Sequence, residues 1–245
     1  MDNKTKKMFM LKTDIKEIIR TESAKNFSLL SNIKFELSEG KVYTILGKNG
    51  SGKTTLIKSL TKLLDAKTFN VNADVFWYGK NIYKMNDGEL QGLRKNQIRY
   101  VFQDLTNNFD PLKKLSYYFS KTELELTAVD KLLSDFLLPE FKIISGLYPY
   151  ELSGGMAQRL SLILAVIPAP KLIILDEPTS ALDYINTNLL KFLFTNHCSK
   201  ANSVIIVTHD MVFAEAVSDE IAVLKNGTIS DFVNKDVFYK TAAAL

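Results

Sequence analysis

Apolar runs of four to six residues, set between polar, acidic and glycine-containing stretches, recur along the chain and predict strands alternating with helices. Val42–Leu46, Leu172–Leu175 and Val204–Val207 are apolar or β-branched and are bounded by Gly, Pro, Asp or polar residues. Such runs suit strands covered on both faces of a parallel sheet. Ile33–Leu37 and Val71–Tyr78 alternate or cluster in the manner of further strands. After Leu46 the apolar positions Leu56, Ile57, Leu60, Leu63 and Leu64 fall at helical spacing, giving a strand, loop and helix in one short stretch. Ile221–Leu224, Lys225-Asn226-Gly227 and Thr228–Val233 read as a β-hairpin, because Asn-Gly accepts the positive φ angles of a tight turn. Between 87 and 165 the pattern is mainly helical. The expectation is one domain, 1–245, with a core from 1–86 and 166–245 and a helical subdomain inserted at 87–165.

Composition adds limits. The 245 residues, 46% hydrophobic and 24% charged, suffice for one buried core and predict a soluble domain. Leu160–Leu175 is interrupted by Ser161, Pro168, Pro170 and Lys171, short of the roughly 18 apolar residues of a membrane-spanning helix. The apolar patch from Met8 to Leu11 is shorter than the roughly 7 to 15 residues of a signal-peptide core. A single cysteine, Cys198, excludes an internal disulfide and cysteine-pair metal sites and fits a reducing compartment. The net charge is +4 and the basic residues are scattered, apart from Lys4, Lys6, Lys7 and Lys12. That cluster suits a solvated terminus better than a nucleic-acid surface, so no nucleic-acid partner is expected.

The chemistry concentrates in two places. Gly47-Lys48-Asn49-Gly50-Ser51-Gly52-Lys53-Thr54 satisfies G-x-x-x-x-G-K-[ST] between a predicted strand and a predicted helix. Glycines let the backbone curl so that successive N–H groups face phosphate oxygens, and a helix start favours the anion. Gly47, Asn49, Gly50, Ser51, Gly52, Lys53, Thr54 and Thr55 are therefore candidate ATP contacts, with Lys53 reaching the β and γ phosphates and the Thr54 hydroxyl offered to Mg²⁺. The second place is Asp176-Glu177, delivered by an apolar strand to the edge of the sheet. There Asp176 is a candidate Mg²⁺ partner through water, and Glu177 the candidate base for the water that attacks the γ-phosphate. Taken alone, two acids before Pro178 also suit a solvated helix start.

Leu152-Ser153-Gly154-Gly155-Met156-Ala157-Gln158-Arg159 resembles the signature motif of the ABC ATPases, with Met156 where glutamine is usual. Ser180-Ala181-Leu182-Asp183 looks like that family's D-loop, Gln103 in Val101-Phe102-Gln103-Asp104 its Q-loop, and His209 in Thr208-His209-Asp210 its switch histidine. The resemblance implies a P-loop NTPase fold, with a RecA-like parallel core, an antiparallel β subdomain and the inserted helical subdomain. It also implies a head-to-tail dimer in which each ATP lies between one phosphate loop and the other subunit's Ser153, Gly154, Gly155, Gln158 and Asp183. Gln103 would touch Mg²⁺ or water at the joint with the helical subdomain, and His209 would sense the γ-phosphate. The implied partners are a second ABC ATPase subunit, identical or related, two integral-membrane permeases and, indirectly, an extracytoplasmic solute-binding protein. The implied location is the cytoplasmic face of the membrane.

Two details refine this picture. Relatives usually stack adenine on an aromatic residue where this chain has Ala24, and Phe27 is the nearest substitute. Asn108-Phe109-Asp110-Pro111-Leu112 and Tyr148-Pro149-Tyr150-Glu151 resemble the ATPases of peptide and nickel uptake, whereas Asp236-Val237-Phe238-Tyr239-Lys240-Thr241 only faintly echoes the extension those relatives often carry. Two alternatives stay open: a soluble ABC-family ATPase acting on nucleic acid or ribosomes, and the non-hydrolysing half of an asymmetric dimer.

Overall fold

The computed structural model describes residues 9–22, 25–102, 109–178, 184–198 and 202–242. Its parallel sheet carries β3 (Val42–Leu46), β6 (Ile98–Val101), β7 (Leu172–Asp176), β8 (Ser203–Thr208) and β9 (Glu220–Lys225), in the order β9-β3-β8-β7-β6. Successive side chains of a strand point to opposite faces. Accordingly Leu172 and Ile174 enter one buried cluster while Ile173 and Leu175 enter another. The continuous apolar runs in the sequence follow from this double coverage.

On one face lies an antiparallel sheet of β1 (Leu11–Glu22), β2 (Lys25–Leu37), β4 (Phe69–Trp77) and β5 (Lys80–Asn81), ordered β2-β1-β4-β5. Leu11, Ile15, Ile18, Ile33, Leu37 and Trp77 pack there with Tyr43, Ile45 and Ile174. Helix α1 (Lys53–Ser59) adds Leu56 and Ile57 to this core. It is shorter than its apolar spacing predicts. Lys62 turns to φ 56°, and Leu63 N–H closes on Lys58 O at 2.9 Å, so Leu63 and Leu64 lie beyond the regular helix.

The opposite face is covered by helices. α3 (Leu115–Phe119), α4 (Leu126–Asp135), α5 (Phe141–Ile144), α6 (Gly154–Val166) and α7 (Tyr184–Cys198) supply buried Leu115, Val129, Ile144, Leu160, Ile163 and Leu190. Within 87–165, however, α2 (Asp87–Asn96) packs Leu90 and Leu93 into the first core, and β6 pairs with β7. The stretch therefore contains a strand of the main sheet as well as helices.

The hairpin predicted from Ile221 onward forms, with Asn226 at φ 52° and Gly227 at φ 77°. Its return strand is shorter than expected. β10 (Thr228–Ile229) ends where Ser230 Oγ accepts from Val223 N–H, and β11 (Val233–Asn234) resumes against the start of β9. Between them Phe232 packs edge-on against Phe35 and Tyr43. α8 (Met211–Val217) and α9 (Lys235–Ala242) complete the described fold. Among the described residues no helix is long and apolar enough to cross a membrane.

Candidate active site

The loop after β3 is shaped by close backbone approach. A Cβ on Gly47 would lie 2.6 Å from Ser51 Oγ and 2.8 Å from Leu224 O, so only glycine fits there without displacement. Gly52 caps α1 at φ 97°, a conformation that favours glycine. Lys53 and Thr54 follow in the first turn and point toward the end of β7.

Three strand ends meet at this point. Thr54 Oγ1 donates to Asp176, 2.8 Å from Oδ2 and 3.1 Å from Oδ1. Asp176 is almost fully buried, and burial pushes its carboxyl above the ordinary range, with the Thr54 hydrogen bond opposing that shift and the neighbouring Glu177 charge adding to it. Glu177 sits at φ 47°, left-handed for a non-glycine residue, directly after the strand. That turn places Oε1 3.0 Å from Lys53 Nζ and Oε2 3.0 Å from His209 Nδ1. The Lys53 approach is an ion pair without hydrogen-bond alignment at Oε1; the ammonium donates instead to the carbonyls of Gly47 at 2.8 Å and Lys48 at 3.0 Å. His209 follows β8, and its side chain is half exposed.

Arg20, Leu29, Asn49, Gly50, Gly52, Lys53, Thr54, Thr55, Glu177 and His209 line one cavity of about 370 Å³. The structure thus brings together the predicted loop and the Glu177 and His209 candidates, with Asp176 held just behind Thr54. A hydroxyl beside a carboxylate is an oxygen donor set that fits Mg²⁺, an ion usually bound through one or two carboxylates plus phosphate oxygens. No group of three or more His, Cys, Asp or Glu among the described residues could hold a metal by itself; with Mg²⁺ bound at Thr54 and Asp176, water and phosphate oxygens would supply the other ligands.

Ser153, Gly154 and Gly155 line neither this cavity nor the larger one beside the loop. Ser153 caps α6, its Oγ accepting from Met156 N–H at 3.3 Å, and it remains exposed with Gly154. Gln158 is 3% exposed, and its Nε2 donates to Pro178 O at 2.5 Å within the same chain. Its side chain therefore faces inward and braces α6 against the segment after Glu177. Gln103, Asp183 and Ala24 lie outside the described residues. Arg20 was not among the predicted site residues; no local motif marks it, and only the path of β1 brings it to the cavity.

A phosphate loop, an acid behind its hydroxyl and a second acid between lysine and histidine define a nucleoside-triphosphate hydrolase of the P-loop class. Residues 30–180 match the family model described as ABC transporter. The chain is 31% identical over 227 residues to the metal-staphylopine import system ATP-binding protein CntD of Staphylococcus aureus, covering 88% of this chain and 83% of that protein. It is 30% identical to the oligopeptide transport ATP-binding protein OppD of Escherichia coli, covering 86% of this chain and 66% of the relative. A solved dimeric ATP-binding cassette in a post-hydrolysis state, bound to ADP and Pi, superposes with a TM-score of 0.75 at 25% identity, over 92% of this chain and 99% of that one. The chain belongs to the ABC transporter family, and its activity is that of an ATPase.

Proposed function

We propose that the chain hydrolyses MgATP as the motor subunit of an importer for small peptides or metal chelates, working as a pair with a second such subunit beneath two permeases. The observation carrying this reading is the single cavity that gathers Lys53, Thr54, Glu177 and His209, with Asp176 against Thr54. The cargo class rests on the CntD and OppD relatives, named for metal-staphylopine and oligopeptide. The chain spans about two thirds of the length of OppD.

The phosphate-loop N–H groups and Lys53 bind the triphosphate and neutralise charge on its outer oxygens. When bound, Mg²⁺ supplies Lewis-acid stabilisation of the developing phosphate charge. Thr54 and Asp176 are the residues placed to hold it. Glu177 Oε2 orients the attacking water and accepts its proton, while His209, 3.0 Å from that oxygen, fixes the carboxylate and reads the γ-phosphate. The Ser153-Gly154-Gly155 start of α6, exposed at Ser153 and Gly154, serves the partner subunit's nucleotide, and peripheral attachment to the cytoplasmic face follows from the permeases.

The test is purification of the tagged Glu177→Gln chain from native membranes in MgATP, with identification of what accompanies it. Multi-span permeases and a second ATPase are expected. Ribosomes, DNA, or no membrane protein would overturn the transport reading and leave the ATP site standing.

A further inference from the structure

We infer that Arg20 holds the nucleobase of the bound nucleotide, through the flat face of its guanidinium, in place of an aromatic side chain. The inference rests on the phosphate-site reading above and deepens it by naming what recognises the other end of the ligand.

Geometry supplies the first argument. The cavity floor is the phosphate loop, and its catalytic side is Glu177 and His209; the remaining wall consists of Arg20 and Leu29, from the paired strands β1 and β2. A triphosphate on the loop with its γ end at Glu177 must send its nucleoside the other way, along the wall these strands provide. Leu29 offers apolar cover there but no plane.

Arg20 is suited to the role by its setting. It pairs directly with Phe27 across the β1–β2 ladder, and both remain about half exposed. Among the described residues its charged contact is a loose 3.4 Å approach of Nη2 to Glu22, itself 59% exposed, so the guanidinium is not committed to a buried pair with them. A planar, weakly hydrated cation stacks on a base as readily as on an aromatic ring, and such stacking tolerates different bases. The neighbouring cavity beside the loop, about 730 Å³, is lined instead by Lys48, Ser51 and the Lys225-Asn226-Gly227 turn, with no planar cation or aromatic residue. It offers nothing on which a base could stack. Stacked face to face, the guanidinium holds its N–H donors in a plane parallel to the base, so in this pose they do not pair with the adenine or guanine edge. ATP and GTP are therefore expected to bind with comparable affinity, because stacking is tolerant of the base.

Equilibrium binding of MgATP, MgGTP and magnesium tripolyphosphate to the full-length chain tests the assignment, with Arg20→Ala, Arg20→Lys and Arg20→Tyr compared. Arg20→Ala should weaken ATP about tenfold and leave tripolyphosphate unchanged; Arg20→Tyr should restore ATP, and Arg20→Lys should restore it only in part. Equal losses for ATP and tripolyphosphate would make Arg20 a phosphate contact and overturn the proposal, as would unchanged ATP affinity in Arg20→Ala. Asn226→Ala is the control for the neighbouring cavity: an ATP-specific loss there, absent in Arg20→Ala, would move the base to that side. Lys53→Ala separates the two levels, because undiminished ATP and tripolyphosphate binding in that variant would instead defeat the phosphate-site reading itself.

Discussion

The Lys53 ammonium and the Glu177 carboxylate meet at 3.0 Å with both side chains more than nine-tenths buried. A buried pair of this kind gives little net stability when intact but is costly to break, since removing one partner strands the other charge.

Replacing Glu177 with Gln should therefore do two separable things. Turnover should fall by about 10² to 10⁴, the contribution typical of a positioned base, while MgATP affinity is kept. The thermal midpoint without nucleotide should drop and be recovered by MgATP, whose phosphates resupply negative charge to Lys53. Phosphate release and calorimetry report each effect, and near-normal turnover would remove Glu177 from its assigned role.

Asp176 has the opposite sign. A carboxyl whose native pKa lies above its unfolded value holds its proton more tightly when folded, so stability declines as pH rises through that interval and stays lower above it. Asp176→Asn should then melt higher than the parent at neutral pH, by about 2 to 4 °C, and this gain should fade as pH falls to the ordinary aspartate range. The same variant should lose Mg²⁺-dependent hydrolysis. Melting curves from pH 3 to pH 8 check the sign.

Two glycines of the loop predict different penalties. Gly47→Ala forces a Cβ to 2.6 Å from Ser51 Oγ, so the loop must shift and nucleotide binding should be lost, together with about 1 to 3 kcal/mol of stability. Gly50→Ala meets nothing within 4 Å, and its φ of 78° costs only about 1 to 2 kcal/mol of backbone strain, so binding should weaken rather than vanish. Parallel titrations of the two variants distinguish them.

Arg94 closes the far end of α1, with Nη2 2.7 Å from the carbonyls of both Thr61 and Lys62 and Nε 3.2 Å from Thr61 O. Lysine cannot reproduce that fork. Arg94→Lys should cost about 1 kcal/mol in denaturant unfolding while leaving the ATPase rate of the folded protein intact.

The legible parts of this fold were those where one physical demand dominates a short stretch. β3, β7 and β8 are buried on both faces, so their apolar runs announce them, and the phosphate loop needs its glycines and lysine at fixed spacing. β1 was not legible. Its inward set Leu11, Thr13, Ile15 and Ile18 loses period two where the pairing slips between Ile15 and Glu17 and again between Ile18 and Ile19. β6 spans only four residues beside β7. Arg20 escaped for a different reason: its place in the cavity depends on the path of β1, a long-range property that no neighbouring residue encodes. The resemblance that singled out Gln158 carries no information on its side-chain direction, which the helix turns inward to Pro178.

That inward turn has a mechanical meaning. Gln158 ties the helix whose cap we propose to face a second subunit to Pro178, the residue immediately after Glu177. A small displacement at the Glu177 carboxylate would thus be delivered, through one amide, to the α6 cap, so in the proposed pair the two ATP sites would not fire independently.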